Sequence, residues 1–226
     1  MFSDVPVIVI SSSCAGVGKT TLALNLAAAL WNDKYNVSLF APDNRQIDLF
    51  LKNRQSYMDA SKIVLPMPKL LRQPDEFVPG VNEVVITDIS SGENEKYASV
   101  FAAAHTLISV VKQNDSEWLE NRKYMDLIWQ AKKQVAARGI KYLNWIVVPN
   151  KLNKNSDQSI SALQDQERKF GFRTANGLSD RNEFQCFETG ICAADRIAQK
   201  CPETTMNDVY ARREILQLAG FLWQNK

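Results

Sequence analysis

The sequence predicts an α/β protein with a doubly wound, mainly parallel sheet and helices on both of its faces. Short apolar segments rich in β-branched residues alternate with longer helical segments along the chain, which is the pattern of strands joined by crossover helices. Most of the short segments are almost continuously apolar, as strands are when both faces of the sheet are covered. A glycine-containing loop joins the first strand to the first helix, and ligands of such sheets bind at the carboxyl ends of the strands.

The elements are predicted in order from these patterns. The predicted strands are Val5–Ile10, Val37–Phe40, Glu83–Thr87, Thr106–Val111 and Leu143–Val148. The predicted helices are Lys19–Trp31, Gln46–Met58, Glu95–Ala104, Glu117–Ala137, Ser156–Phe170 and Asp208–Trp223. The segment from Met67 to Gly80 has four prolines in or beside it, at positions 66, 68, 74 and 79, and is predicted to be a loop.

The domain organisation is predicted to be simple. No repeat, low-complexity tract or linker divides the 226 residues, so residues 1–226 are expected to form a single domain. The stretch from Val209 to Trp223 is amphipathic. Such a stretch is either a membrane-targeting helix or, more commonly, a helix packed against the core.

Composition bears on the cellular compartment of the protein and on its partners. The net charge of +2 does not by itself indicate nucleic acid or an acidic partner. The four cysteines form no C-x-x-C pair, which favours reduced thiols over a disulfide or zinc framework. We find neither a signal peptide nor an apolar run of about 18 residues, and therefore expect a cytoplasmic protein with no transmembrane segment. The only histidine, His105, is expected to pack at a strand edge.

The most informative motif lies between the first strand and the first helix. It reads Ser13-Cys14-Ala15-Gly16-Val17-Gly18-Lys19-Thr20-Thr21. Strand, glycine loop, Gly-Lys-Thr and helix together are typical of a phosphate-binding loop, although Ser13 stands where the first glycine is usual. Backbone N–H groups of residues 14–21 and the helix N-terminus would bind phosphate oxygens. Lys19 would reach the β- and γ-phosphates, and the Thr20 hydroxyl would ligate Mg²⁺.

Three further residues fall at strand ends, where a nucleotide site needs polar groups. Asp43 follows the second strand and would either orient a water for attack on the γ-phosphate or serve as a turn or helix cap. Asp88 ends the run Val84-Val85-Ile86-Thr87, which is the Walker B form whose carboxylate holds Mg²⁺. Asn150 follows the fifth predicted strand, and its amide would either read an adenine edge or make a turn.

These residues resemble the ParA/MinD superfamily of P-loop ATPases, and most closely its MipZ branch. The resemblance rests on Gly16-x-Gly18-Lys19-Thr20-Thr21, Asp43, Asp88 and Asn150, together with Arg45-Gln46, Asn53-Arg54, Gly171-Phe172-Arg173, Gly177-Leu178-Ser179-Asp180-Arg181, Phe187, Gly190 and Asp195. It implies a nucleotide switch that binds ATP and Mg²⁺, hydrolyses ATP slowly, and helps to position a chromosome, a plasmid or a division site.

The departures from the superfamily pattern concern dimerisation and hydrolysis. Cys14 stands where the resemblance implies a lysine that crosses a dimer interface to the partner's nucleotide, and Ala15 stands where it implies a glycine. Ala41 replaces the first of the paired acids after the second strand, so Asp43 alone would orient water. Nucleotide binding is therefore better supported than dimer-driven hydrolysis. The alternatives are an ATP-binding module that does not hydrolyse ATP and, with less support, a ligase like the dethiobiotin synthetases.

The resemblance also implies macromolecular partners. It suggests non-specific DNA, a ParB-like or cytoskeletal protein, and a weak nucleotide-dependent homodimer. Candidate DNA contacts are Arg122, Lys123, Lys132, Lys133, Arg138, Lys141, Arg212 and Arg213. Each of them is also explained as part of a solvated helix face balanced by nearby glutamates.

Overall fold

The computed structural model describes residues 6–42, 44–77, 84–113, 117–140, 143–153 and 156–222. Its strands are β1 (Val7–Ser11), β2 (Val37–Phe40), β3 (Lys69–Leu71), β4 (Val84–Asp88), β5 (Thr106–Lys112), β6 (Asn144–Leu152), β7 (Arg173–Thr174) and β8 (Leu178–Ser179). Its α-helices are α1 (Lys19–Asn32), α2 (Arg45–Ser61), α3 (Ala98–Ala103), α4 (Arg122–Ala137), α5 (Ser156–Phe170), α6 (Ala193–Ala198) and α7 (Met206–Leu222).

The described strands form one parallel sheet. Its order is β3-β2-β4-β1-β5-β6-β7, and β8 also pairs with β6. Every strand pair is parallel, as expected when each return crosses the sheet through a helix or a long loop. β1 lies between β4 and β5, so the chain moves to one side of β1 and later to the other. This reversal places a crevice at the carboxyl end of β1, where ligands of such sheets bind.

Both faces of the sheet are buried, which explains the continuous apolar strands. In β1, Ile8 and Ile10 face a core that includes residues of α1, α2, α6 and α7. Val7 and Val9 face the opposite core, which includes residues of α3 and α4. The doubly wound, parallel prediction is therefore confirmed, because alternate residues of one strand contribute to two separate cores.

The strand register brings the predicted site residues Asp88 and Asn150 to the carboxyl end of the sheet. Asp88, the last residue of β4, is paired with Ile10 of β1. Asn150 in β6 is paired with Lys112 at the end of β5. Parallel strands have their carboxyl ends on the same side of the sheet. Residues that follow β1 therefore lie near the carboxyl end of β4, which is next to β1, and near that of β6, which is one strand further along.

The prediction of a loop over residues 67–80 is wrong in part. Residues Lys69–Leu71 form β3, which pairs with β2 at the sheet edge, and Pro74–Glu76 form a short 3₁₀ helix; residues 78–80 lie outside the described ranges. A three-residue edge strand flanked by prolines leaves little signal in the sequence, because prolines are tolerated where the outer N–H groups need no partner.

Two predicted helices begin later than expected. The helix predicted from Glu95 begins at Ala98, because the preceding turn is held by side-chain contacts. Its Asn94 amide donates to the Ser12 carbonyl at 3.0 Å, and the Tyr97 ring lies edge-on to Phe40. The helix predicted from Glu117 begins at Arg122, where Asn121 caps it by accepting from the Tyr124 N–H at 3.1 Å.

Other elements were missed or lengthened. The sequence patterns do not predict α6, β7 or β8, which have six, two and two residues, and β6 extends to Leu152 rather than ending at Val148. The last helix packs against the core rather than forming a separate membrane-targeting helix, and Ala211, Ile215, Leu218 and Leu222 are buried in that core. Within the described ranges, every helix falls short of the length and apolar character needed to cross a membrane.

Candidate nucleotide site

Two glycines give the loop after β1 its shape. Gly16 and Gly18 have φ angles of +68° and +96°, which is the left-handed region that favours glycine. Gly18 is also tightly packed, because a Cβ atom there would lie 2.3 Å from Nδ2 of Asn150. Any other residue at position 18 would therefore have a strained backbone and would displace the Asn150 side chain.

No side chain caps the N-terminus of α1. Gly18 caps this helix with its backbone alone, and no acidic residue lies in the first turn. By contrast, α2 and α4 are capped by the side chains of Asn44 and Asn121. The first N–H groups of α1 and the positive end of its dipole can therefore bind an anion, as phosphate-binding loops do.

Lys19 supplies the cation of this loop. Its side chain is largely buried, and Nζ donates to the Cys14 carbonyl oxygen at 3.2 Å. Burial lowers the pKa of Lys19, while the nearby charge of Asp88 and the Cys14 thiol oppose that effect. The ammonium group is thus held across the loop by a neutral carbonyl oxygen. A bound phosphate can take the place of this acceptor and form a charge-assisted hydrogen bond with Lys19.

Thr20 and Asp88 form the second polar centre. The Thr20 hydroxyl donates to Oδ2 of Asp88 at 2.7 Å, and Asp88 is 3% exposed. Burial raises the pKa of Asp88, while hydrogen bonds from Thr20 and Asn44 and the charge of Lys19 oppose the rise. One hydroxyl and one carboxylate fit Mg²⁺, which prefers oxygen ligands and commonly uses one or two carboxylates with substrate phosphates. In the described ranges no cluster of three His, Cys, Asp or Glu side chains offers a metal site made by protein alone.

Asn44 also reaches this centre, although it is not among the site residues predicted from the sequence. Its Nδ2 donates to Oγ1 of Thr20 at 3.1 Å and to Oδ2 of Asp88. Its position after the second strand, directly before a helix, was the available signal. The neighbouring Asp43, which was predicted to orient water, lies outside the described residues.

Asn150 contacts the phosphate-binding loop directly. It lies within β6, and its Nδ2 donates to the Val17 carbonyl at 2.7 Å. The following residue, Lys151, has a φ angle of +57° and is exposed. Asn150 therefore joins the end of β6 to the loop and also lines the cavity in front of it.

These residues line one cavity of about 680 Å³. Its lining includes the loop, Lys19, Thr20 and Asp88, and also Lys151, Ser179, Asp180, Arg181, Phe184, Gln185 and Phe187. The volume is within the usual range for small-molecule sites, about 300–1,000 Å³. Anion-binding groups together with mixed polar and aromatic groups suit a nucleotide.

Comparison with known proteins identifies the family. The family model for ATPase MipZ matches residues 6–111 and 104–223, which together span nearly the whole chain. The chain belongs to the MipZ ATPase family. No curated protein matches it significantly in sequence.

Solved structures similar to this MipZ-family chain share its fold. MinD from Aquifex aeolicus has 18% identity and a TM-score of 0.61, covering 98% of each chain. McdA from Cyanothece, without nucleotide, has 15% identity and a TM-score of 0.59, covering 94% of this chain and 99% of the other. The AMPPNP-bound plasmid partition protein of Borrelia burgdorferi has 12% identity and a TM-score of 0.56, covering 96% and 99%. At these identities the likeness establishes the shared fold alone.

The basic residues predicted to contact DNA have different surroundings. Lys132 of this MipZ-family chain donates to the Phe170 and Gly171 carbonyls at 2.8 and 3.2 Å and lies over the Trp129 and Trp145 rings. Arg138 donates to the Ala104 carbonyl at 3.1 Å. Arg212 is half-buried, Lys141 lies outside the described residues, and Arg122, Lys123, Lys133 and Arg213 are exposed. Among them, Nζ of Lys123 lies 3.7 Å from a carboxylate oxygen of Glu95.

Proposed function

We propose that this MipZ-family protein is an ATP- and Mg²⁺-dependent switch that acts in intracellular positioning or partitioning and hydrolyses ATP slowly. The observation that carries the proposal is the convergence of four features on one cavity. These are the open N-terminus of α1, the loop with left-handed glycines, the buried Lys19, and the Thr20–Asp88 pair. Residues 1–226 are proposed to act as one nucleotide-binding domain.

Each residue has a distinct proposed role. Backbone N–H groups of residues 15–21 bind phosphate oxygens, and Lys19 neutralises their charge. Thr20 and Asp88 hold Mg²⁺, which when bound offsets the charge that builds up on the phosphates. Asp43 orients the attacking water, and Asn150 contacts the base while its amide fixes the loop through Val17. Catalysis then consists of positioning and electrostatic stabilisation, with no covalent step on the protein.

The test of nucleotide binding is Lys19→Ala, measured by isothermal titration calorimetry with ATP and Mg²⁺. A charged hydrogen bond contributes about 1.5–3 kcal/mol, so the affinity is expected to fall by at least tenfold. Lys52→Ala, a change of an exposed lysine on α2, is the matched control and should bind as the wild type does. Equal ATP affinity in a folded Lys19→Ala protein would show that the loop does not bind phosphate.

A second candidate function is an ATP-binding module without useful turnover. Ala41 has no carboxylate and is fully buried in the core, and Cys14 provides no fixed positive charge. Steady-state phosphate release, measured with and without DNA, separates the two functions. The switch predicts slow turnover that Asp43→Ala abolishes, whereas the binding module predicts the same background rate for both proteins.

The partners are proposed from the same family membership. The exposed Arg122, Lys123, Lys133 and Arg213 would supply non-specific DNA contacts, and a ParB-like or cytoskeletal protein would read the nucleotide state. Non-specific binding through these side chains must weaken steeply as salt concentration rises, because it depends on the release of counterions from phosphates.

A further inference from the structure

Asn44 uses both ends of its amide at the same time. Its Oδ1 accepts from the backbone N–H groups of Gln46 and Ile47, at 2.9 and 3.4 Å, and so caps α2. Its Nδ2 donates to the Thr20 hydroxyl oxygen at 3.1 Å and to the Asp88 carboxylate. One side chain therefore connects the start of α2, the first turn of α1 and the end of β4.

The orientation of this amide is fixed by its neighbours. The two N–H groups at the start of α2 require an acceptor, so Oδ1 must point towards them. The N–H donors of Nδ2 are then directed at Thr20 and Asp88, and a rotated amide would place its oxygen against the carboxylate. Asn44 is thus an oriented donor, whereas a freely rotating side chain would have to be ordered by the ligand.

The buried carboxylate of Asp88 needs such a donor. A largely buried charge is stable only when hydrogen bonds replace the water that it has lost. Oδ2 of Asp88 accepts from the Thr20 hydroxyl as well as from Asn44. Asn44 also contacts the Thr20 oxygen, and this oxygen retains a second lone pair for a metal ion. Both protein oxygens proposed to hold Mg²⁺ are therefore positioned by the same amide.

We propose that Asn44 is a positioning residue for Mg²⁺, which holds the Thr20 hydroxyl and the Asp88 carboxylate in one arrangement before the ion binds. The inference rests on the proposed function, since it concerns the metal end of the same site. It assigns no contact of Asn44 with the nucleotide. Removing the donor leaves Lys19 and the phosphate-binding loop intact, so the metal requirement should change while the metal-free affinity for ATP should not.

The test substitutes serine for asparagine at two helix caps. Serine caps helices as well as asparagine does, but its hydroxyl is too short to cap α2 and reach Asp88 together. Asn44→Ser therefore keeps the cap and loses the donor. Asn121→Ser is the matched control, because Asn121 caps α4 in the same way and does not line the nucleotide cavity.

Binding of a fluorescent, non-hydrolysable ATP analogue is titrated with Mg²⁺ and repeated in EDTA. For Asn44→Ser we expect the Mg²⁺ concentration at half-maximal binding to rise about tenfold, as the loss of a charge-assisted hydrogen bond predicts. Binding in EDTA should be unchanged, and Asn121→Ser should match the wild type in both titrations.

The outcomes separate this inference from the proposed function. An unchanged or lower Mg²⁺ requirement in Asn44→Ser overturns the positioning role, and a lower one means that the amide competes with the ion. An equal rise in Asn121→Ser means that helix capping alone is responsible, which also overturns it. If the wild type binds the analogue without any response to Mg²⁺, the metal part of the proposed function fails together with this inference. If it does not bind the analogue at all, the whole proposed function fails.

Discussion

At the scale of single residues, His105 connects two strands of the sheet. Its Nδ1 accepts from the Val7 backbone N–H at 3.1 Å, so this nitrogen must be unprotonated in the folded protein. The backbone N–H of His105 donates to the Val7 carbonyl at 2.9 Å. Burial lowers the pKa of His105 from the ordinary value of 6.5, and the positive charge of Arg138 lowers it further. The expectation of a packed residue at a strand edge agrees with these contacts.

This lowered pKa predicts a pH dependence of stability. Between pH 6.5 and the lower pKa of the folded state, the unfolded chain binds more protons than the folded protein, so acidification favours unfolding. The contribution of His105 is present above about pH 6.5 and is lost as the pH falls through the folded-state pKa. Urea unfolding of the wild type and His105→Asn at pH 7.5, 6.5 and 5.5 measures it.

Asparagine is chosen because its Oδ1 can accept from Val7 in place of Nδ1 and does not titrate. We expect the stability of the wild type to decrease relative to the variant as the pH falls. His105 is the only histidine, so other groups contribute equally to both proteins and cancel in the difference. Parallel curves would show that the imidazole titrates alike in the folded and unfolded states.

The same scale shows what the sequence reveals about the site. Lys19, Thr20 and Asp88 could be predicted because each occupies a fixed place relative to a strand or helix end. For Asn44 the sequence offers only its position before a helix, because its contacts are with residues 24 and 44 positions away and depend on which strands are neighbours. The contact of Asn150 with Val17 spans 133 positions and depends on the sheet order in the same way.

At the scale of elements, α2 and α6 are joined by a buried ion pair. Nη1 and Nη2 of Arg54 donate to the two carboxylate oxygens of Asp195 at 2.7 and 3.0 Å, and both side chains have no exposed surface. Nη1 also donates to the Gly190 carbonyl at 3.0 Å. The guanidinium carbon lies 5.5 Å from the ring centres of Trp31 and Phe50. Polar partners and aromatic faces therefore surround this charge.

Breaking the pair on one side should be costly. Asp195→Ala leaves the Arg54 charge buried without its counter-ion, and such changes cost about 3–5 kcal/mol. The double variant Arg54→Met, Asp195→Ala removes both charges and should be no less stable than Asp195→Ala. Urea unfolding of the single and double variants measures the coupling. Asp59→Ala, an exposed position on α2, is the control and should change stability little.

A double variant whose loss equals the sum of the two single losses would show that the pair is not coupled. Cys192 adds a further reason to expect coupling, because its backbone N–H donates to Oδ2 of Asp195 at 3.0 Å and so fixes the carboxylate at the start of α6.

The short helix α6 left no periodic signal in the sequence. Its position is set by these contacts rather than by its own six residues.

The short elements illustrate why their prediction failed. β7 and β8 have two residues each and exist because β6 offers them a free edge. β3 is likewise defined by its pairing with β2. The long central strands and helices were predicted because burial on both faces determines their residues locally. Edge strands are determined by a neighbour that is distant in sequence, so the local pattern is weak.

At the scale of the whole molecule, the cavity lies at one edge of a sheet that is covered on both faces. Cys14 lies on the loop beside it and is half-buried, and the exposed Lys151 lines the cavity. At position 14 the family resemblance implies a lysine that would cross to the nucleotide of a second copy, and this chain has Cys14 instead. A thiol has no fixed positive charge and cannot make that contact. The consequence concerns assembly rather than binding by one copy.

We therefore expect a mainly monomeric protein at micromolar concentration, with and without ATP. Two polyphosphates brought face to face repel one another strongly where water is excluded, and a crossing lysine from each copy would offset part of that repulsion. Cys14→Lys combined with Ala15→Gly should restore this contact and strengthen ATP-dependent dimerisation. Analytical ultracentrifugation with a non-hydrolysable ATP analogue and Mg²⁺ compares the double variant with the wild type, and Ala15→Gly alone is the control for loop flexibility.

The expected result is a shift of the double variant towards the dimer only when the analogue is present, because the new lysine acts on phosphate and not on the partner's surface. A tight wild-type dimer that gains nothing from the restored lysine would contradict the argument, and would mean that another cation performs the task. Lys151 is then the first residue to replace, since it is exposed and lines the cavity, and its left-handed backbone lies at the irregularity of β6 between Asn150 and Leu152. Loss of the wild-type dimer in Lys151→Ala, with ATP affinity retained, would identify it as that cation, because a residue acting within one copy would lower the affinity first.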